Sequence, residues 1–222
     1  MKIFGFAFSL LLSSTSLAAA GITQITSVSQ LGPHDTVNWD TFGPVPSVVS
    51  TYAEEPAGPL IVHINTASGE LAIRPGSDVG GFLPSDTLLS QLPGNLSDPI
   101  LVGFSTPIKG LGTQIESLLP GAFTGYMDLY DSGGNPLGEV SVNANTADPT
   151  APFIGAISST SDIDYVIFSV NNGNPEFPKA GDVAINSVNF AVPEPLTVSL
   201  FGMGVTGLAI FRRRRPRSLD VL

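Results

Sequence analysis

Turn-forming residues divide the middle of this chain into short segments. The sequence contains 24 glycines and 19 prolines. Between Gly21 and Val192, clusters of Gly, Pro, Asn and Asp separate short runs of β-branched and aromatic residues. Because Gly and Pro disfavour helix interiors and no long stretch repeats at the helical period, this pattern indicates strands joined by turns.

The strand pattern predicts an all-β domain, an antiparallel jelly-roll-like β-sandwich over residues 21–191. The clearest unit is a hairpin, in which alternating apolar positions flank a glycine-rich turn at Asp131–Asn135. The slip in alternation at Asn186-Ser187 predicts a bulge in the last strand. The predicted strands are Ile22–Ser27, Val45–Tyr52, Leu60–Asn65, Glu70–Ile73, Ile100–Phe104, Phe123–Tyr130, Leu137–Val142, Phe153–Ile157, Tyr165–Val170 and Val183–Phe190.

The charge of this middle region limits its partners. Residues 21–192 carry 17 acidic side chains against three basic ones, a formal charge of −14. Such a surface repels phosphate backbones, so no nucleic-acid partner is expected. The chain has no cysteine, which excludes disulfides, thiol catalysis, cysteine-based zinc sites and iron–sulfur clusters.

The N-terminal residues 1–20 have the pattern of a signal peptide. Met1-Lys2 is followed by an apolar run from Ile3 to Leu12 and then by small residues that end at Ala18–Ala20. Signal peptidase accepts this A-x-A ending, so cleavage is expected after Ala20. The alternative, a membrane anchor, requires about twice that apolar length.

The C-terminal residues 192–215 contain three ordered elements. A Pro-Glu-Pro motif precedes an uncharged apolar run, which ends at a cluster of arginines. The run at 196–211 predicts one transmembrane helix in the inner membrane, and the arginines keep residues 216–222 as a short cytoplasmic tail. The residues that carry these elements are Val192, Pro193, Glu194 and Pro195, and then Arg212, Arg213, Arg214 and Arg215.

This ending resembles the PEP-CTERM sorting signal, the substrate signal of exosortase enzymes. The resemblance implies a membrane-held precursor that exosortase processes near Pro-Glu-Pro and that is then released or moved outward. It also implies a bacterium that makes exopolysaccharide, a candidate partner. Here residues Pro216–Leu222 extend beyond the arginines, a departure from the usual tail. The alternative is an ordinary single-pass anchor; in either case the β domain lies outside the cytoplasm.

Residues 100–190 also look like ectodomains found upstream of such tails. This second resemblance implies a jelly-roll-like sandwich without an established chemistry. The segments that carry it are Gly103–Pro107, Tyr130–Gly134, Phe153–Gly155 and Ala184–Phe190.

No catalytic residues are predicted. The G-x-G-x-x-G run at Gly202–Gly207 falls inside the apolar span, where no strand precedes it as a dinucleotide fold requires. Neither His34 nor His63 is a persuasive base, and alternation places His63 on the face opposite Val62 and Ile64, as a surface or partly hydrogen-bonded histidine. Serine hydrolase, zincin and NTPase motifs do not occur in the sequence. Glycoside hydrolysis needs a pair of carboxylates, but the many acidic residues of this chain single out no particular pair. A secreted hydrolase is therefore the less favoured alternative.

Two turns are candidates for binding calcium as a cofactor. Asp162 and Asp164 flank one residue, while Asp131 and Asn135 bracket the hairpin turn, and both pairs offer oxygen ligands. The alternative is that these side chains cap solvated turns. The sequence therefore predicts a non-enzymatic structural or adhesive protein of the cell envelope or matrix, with a calcium-dependent carbohydrate-binding module as the alternative.

Aromatic side chains offer a second kind of ligand contact. Trp39 and Tyr52 are candidates for stacking on a sugar ring, and the alternative for Trp39 is a place in the core.

Overall fold

The computed structural model describes residues 21–49, 52–57, 60–66, 70–92, 98–173, 179 and 182–191. The predicted signal peptide, the Pro-Glu-Pro motif, the apolar span and the arginine cluster lie outside these residues and stay predictions. Within the described ranges, no helix is both long and apolar enough to cross a bilayer.

The described residues form an all-β structure, as the sequence predicts. Single 3-10 turns lie at Val28–Leu31, Trp39–Phe42 and Gly76–Asp78. The strands are β1 (Ile22–Ile25), β2 (Asp35–Val37), β3 (Ser47–Val49), β4 (Tyr52–Ala57), β5 (Leu60–Asn65), β6 (Leu71–Pro75), β7 (Thr87–Gln91), β8 (Ile100–Ile108), β9 (Gly110–Ser117), β10 (Ala122–Tyr130), β11 (Pro136–Asn145), β12 (Phe153–Ser158), β13 (Ile163–Asn171), β14 (Val183–Ile185) and β15 (Val188–Ala191).

One sheet contains nine strands and is centred on β9. Its main path is β1-β12-β9-β14-β7-β6-β3, and every pair in it is antiparallel. The strand predicted over Val183–Phe190 is broken at Asn186-Ser187 into β14 and β15, where the sequence indicates a bulge. Both strands pair with β9 along one edge. Along the other edge, β14 pairs with β7 and β15 pairs with β2.

The second sheet contains six strands in the order β11-β10-β13-β8-β5-β4, again antiparallel. The predicted hairpin is present as β10 and β11, which pair from Ala122 opposite Asn145 to Tyr130 opposite Pro136. β10 and β11 are consecutive in the chain and pair with each other. In contrast, β8 pairs with two strands that are distant in sequence, β13 and β5.

The core fills the space between the two sheets. Phe104 on β8 and Phe190 on β15 meet across it, with ring centroids 5.6 Å apart. Alternate residues of each strand reach this layer, including Met127 and Leu129 of β10 and Ile115 of β9, all 0% exposed. The remaining positions on the strands face outward, so each sheet presents one outer face.

Candidate functional site

A row of aromatic and charged side chains crosses the outer face of the six-stranded sheet. The register places Tyr130 opposite Tyr165, Tyr165 opposite Gly103, Gly103 opposite His63, and His63 opposite Glu54. Because the intervening residues of these strands point into the core, the row faces solvent. We call these residues the tyrosine row.

The two tyrosines form the centre of the row. Their rings are stacked, with centroids 4.8 Å apart and planes inclined by 5°. Both side chains are half-buried. Burial, with the nearby Tyr130, Asp131 and Asp164, raises the pKa of the Tyr165 phenol, so its hydroxyl stays protonated. The pair therefore offers hydroxyl groups and ring surface with carboxylates beside them.

Gly103 makes room for the imidazole of His63. A Cβ atom at this glycine would collide with Nε2 of His63, so the ring lies across the strand where Gly103 has no side chain. His63 is half-buried and its neighbours Val62 and Ile64 are buried, as the alternation predicts.

A lysine bridges two carboxylates farther along the same face. Nζ of Lys179 lies 2.9 Å from Asp128 and 2.7 Å from Glu139, and 5.0 Å from the ring centroid of Tyr126. Burial raises the pKa of Asp128, while the hydrogen bond from Lys179 opposes that rise. The same lysine lowers the pKa of Glu139. The lysine therefore links the two carboxylates across β10 and β11.

The carboxylate of Asp131 accepts hydrogen bonds from other residues of the hairpin turn. Oδ1 accepts hydrogen bonds at 2.8 Å from the backbone N–H groups of Gly133 and Asn135, and the Asn135 amide donates to both carboxylate oxygens. These hydrogen bonds lower the pKa of Asp131. The arrangement is that of a capped turn, and calcium binding by Asp131 and Asn135 stays a prediction.

Asp162 and Asp164, the second pair predicted to bind calcium, have different partners. Asp162 accepts hydrogen bonds at 2.6 Å from the hydroxyls of both Ser158 and Thr160. Asp164 instead acts electrostatically on Tyr165. Among the side chains that the structure describes, no group of three or more histidines and carboxylates is placed to hold a metal ion.

The aromatic residues singled out by sequence have other positions. Trp39 is 0% exposed and donates from Nε1 to the carbonyl of Asn186 at 2.7 Å, so it belongs to the core and not to a sugar platform. Tyr52 begins β4. His34 is exposed, with Nδ1 2.7 Å from the carbonyl oxygen of Gly32.

Glu116 is a functional candidate that the sequence did not distinguish from the other acids. It is 1% exposed, and neither carboxylate oxygen has a hydrogen-bond partner among the described atoms. Burial, with the charge of Asp148, raises its pKa to about 7. Such a pKa suits a general acid, but the carboxylate lies beneath Gly81 and does not reach a surface where a substrate would bind.

No known protein family and no curated protein matches the sequence. Among solved structures, the chain is similar to a DUF4465 family protein from Bacteroides caccae (13% identity, TM-score 0.41, 76% of this chain and 99% of that one). A DUF4465 family protein from Bacteroides ovatus has 10% identity and a TM-score of 0.23, over 78% of this chain and 99% of that one. The arabinose-bound MgGH51 α-L-arabinofuranosidase has 15% identity and a TM-score of 0.30, over 72% of this chain and 26% of that one.

Proposed function

We propose that this chain is an exported, non-enzymatic protein of the bacterial envelope or extracellular matrix, and that its β domain adheres to exopolysaccharide through the tyrosine row. The stacked pair Tyr130–Tyr165 carries the adhesive part of the proposal. The C-terminal sequence, with Pro193-Glu194-Pro195 and Arg212–Arg215, supports sorting by exosortase after signal peptidase has removed the leader.

The chemistry of the tyrosine row suits a sugar. Aromatic rings bind the apolar C–H faces of pyranose rings. Tyrosine hydroxyls donate hydrogen bonds to sugar hydroxyls and accept them, and carboxylates accept them. The row runs across five strands, from Tyr130 on β10 to Glu54 on β4. At about 4.8 Å between neighbouring strands, its length matches an extended chain of a few sugars better than a single one.

The strand order supports a finer proposal for the fold, a jelly-roll-like sandwich. In both sheets, strands distant in sequence pair with each other, as β8 does with β13 on one side and with β5 on the other. Such crossovers between antiparallel strands are typical of Greek-key and jelly-roll folds.

Affinity electrophoresis of the full-length protein through gels containing the bacterium's purified exopolysaccharide tests the adhesive role. We expect retardation of the wild type, and at least a tenfold weaker affinity for Tyr165→Ala. Tyr165→Phe keeps the stacked ring and removes only the hydroxyl, so it should fall between the two.

Thr124→Ala is the matched control, because Thr124 lies on β10 at the other end of the same outer face. Thermal melts establish that each variant is folded. Equal retardation of wild type, Tyr165→Ala and Thr124→Ala would remove the tyrosine row from the proposal.

Intact-mass analysis of protein from the envelope and the medium, with and without exosortase, tests sorting. We expect mass loss at both ends in the processed protein, and a precursor that retains the C-terminal region when exosortase is absent. A mass that includes Phe211 and the arginines in every fraction would instead indicate a permanent anchor.

A further inference from the structure

A cavity opens on the outer face of the nine-stranded sheet, on the opposite side of the molecule's core from the tyrosine row. Its volume is about 350 Å³, within the range of small-molecule sites. Leu118, Leu119 and Pro120 after β9 line one side. Arg74 and Asp78, from the end of β6 and the turn that follows it, are also in the lining.

Small residues lie beside this cavity on the sheet. Ala72, Ser90 and Ala184 stand in register on β6, β7 and β14, and Ala184 is opposite Glu116 on β9. All three are buried, and Ala184 packs against Val79, Phe82 and Leu88, so the segment that carries Val79 lies directly over this part of the sheet.

Asp182 supplies a buried carboxylate to the cavity wall. It is 3% exposed, and its Oδ1 has no hydrogen-bond partner within the described part of the chain. Burial raises the pKa of Asp182, and a hydrogen bond with Asn172 only partly opposes that rise. A buried acceptor without a donor is costly, so a ligand that brings a charged N–H group would relieve that cost.

A second buried carboxylate lies close to the first. The backbone N–H of Leu118 donates to the carbonyl of Asp182 at 2.7 Å, so Asp182 is diagonal to Glu116 across two adjacent strands. Both carboxylate oxygens of Glu116 are also buried without partners among the described atoms. Among the described residues that line the cavity, Arg74 is the one basic side chain, against Asp78 and Asp182.

We propose that this cavity binds the primary ammonium group of a small organic amine, with Oδ1 of Asp182 as its main acceptor. Leu118, Leu119 and Pro120 then pack against the alkyl part of the ligand. The acidic lining disfavours anions, and these apolar walls offer few of the six to eight oxygens that a calcium ion takes. The site does not depend on the adhesive role, because the tyrosine row belongs to the other sheet.

Isothermal titration calorimetry on the full-length protein tests the proposal, with 1,4-diaminobutane as the probe. 1,4-Butanediol is the matched uncharged probe, since it has the same chain length without the ammonium groups. We expect saturable binding at one site for the diamine and no measurable binding for the diol. Asp182→Asn should weaken diamine binding at least tenfold, whereas Asp40→Asn, which removes an exposed carboxylate elsewhere, should not.

A second variant avoids the buried position. Leu119 lines the cavity and is 41% exposed, so Leu119→Trp fills the opening without altering the core. It too should weaken binding at least tenfold, and it decides the question if Asp182→Asn does not fold. Equal heats for diol and diamine, unchanged affinity in Leu119→Trp, or displacement of the diamine by stoichiometric calcium chloride would each overturn the proposal.

Discussion

Glu116 shows how a single buried acid makes stability depend on pH. Its carboxylate is 1% exposed, and burial together with Asp148 raises its pKa from 4.5 to about 7. Because the folded state holds this proton more tightly than the unfolded chain, folding takes up a proton between these two pH values. The stabilisation is complete below the unfolded pKa and is lost as pH rises through the folded one.

Glu116→Gln should therefore flatten the pH dependence of unfolding. Between pH 4.5 and about 7, the wild type should lose up to roughly 3 kcal/mol through this group, less whatever solvent screens. The variant should lose much less over the same range. Urea titrations at several pH values measure this, with Glu70→Gln at an exposed position as the control. Parallel pH profiles for wild type and Glu116→Gln would contradict the assignment.

The elements show which strands a sequence pattern can identify. β5 was predicted with its observed bounds, Leu60–Asn65, because its buried and outward residues alternate. β7 was missed, since Leu88 to Gln91 are buried in succession on both faces and do not alternate. β9 was missed because glycines at 110 and 112 suppress its strand signal, although it lies at the centre of its sheet.

The candidate sites were harder to predict than the strands. The sequence identified the hairpin that contains Tyr130, but it gave no means of pairing Tyr130 with Tyr165 or His63 with Gly103. Those contacts depend on the register of strands far apart in the chain. Likewise, Asp182 and Glu116 differ from the other acids only in burial, which tertiary packing creates.

Gly112 is required by the packing of a neighbouring strand. A Cβ atom there would lie 2.3 Å from Cζ of Phe153 and 3.1 Å from the carbonyl oxygen of Ile154. Gly112→Ala should therefore destabilise the protein by about 1–3 kcal/mol, although alanine suits strands no worse than glycine. Denaturant unfolding measures the loss.

A double-mutant cycle identifies the cause of that loss. Phe153→Leu removes the ring that the new methyl group would strike, so Gly112→Ala should cost less in that background. Gly21→Ala is the control, because its Cβ would meet Ser159 at an ordinary 3.6 Å. Identical costs of Gly112→Ala in both backgrounds would show that the ring is not responsible.

At the scale of the whole molecule, repulsion among acids is the main electrostatic feature. Residues 21–192 carry 17 acidic and three basic side chains. Lys179 forms ion pairs with Asp128 and Glu139. Because acidic side chains outnumber basic ones by 17 to three in this region, most carboxylates cannot each have a basic side chain of their own, and their mutual repulsion opposes the compact state.

Added salt should stabilise the domain by screening this repulsion. Raising sodium chloride from about 10 mM to about 0.5 M shortens the screening length from roughly 30 Å to less than 10 Å. The melting temperature should rise over that range at pH 7, and potassium chloride should give the same increase. A constant or falling melting temperature would show that local ion pairs outweigh the net charge.

The position of the last described strand governs how this domain carries mechanical load. β15 ends at Ala191, and it lies between β2 and β9. A force applied along the strand at Ala191 is shared by two hydrogen-bonded ladders in shear, which must fail together. A force on an edge strand would instead break the hydrogen bonds of one ladder, one at a time, so a pull along β15 from Ala191 should meet more resistance than a pull on an edge strand.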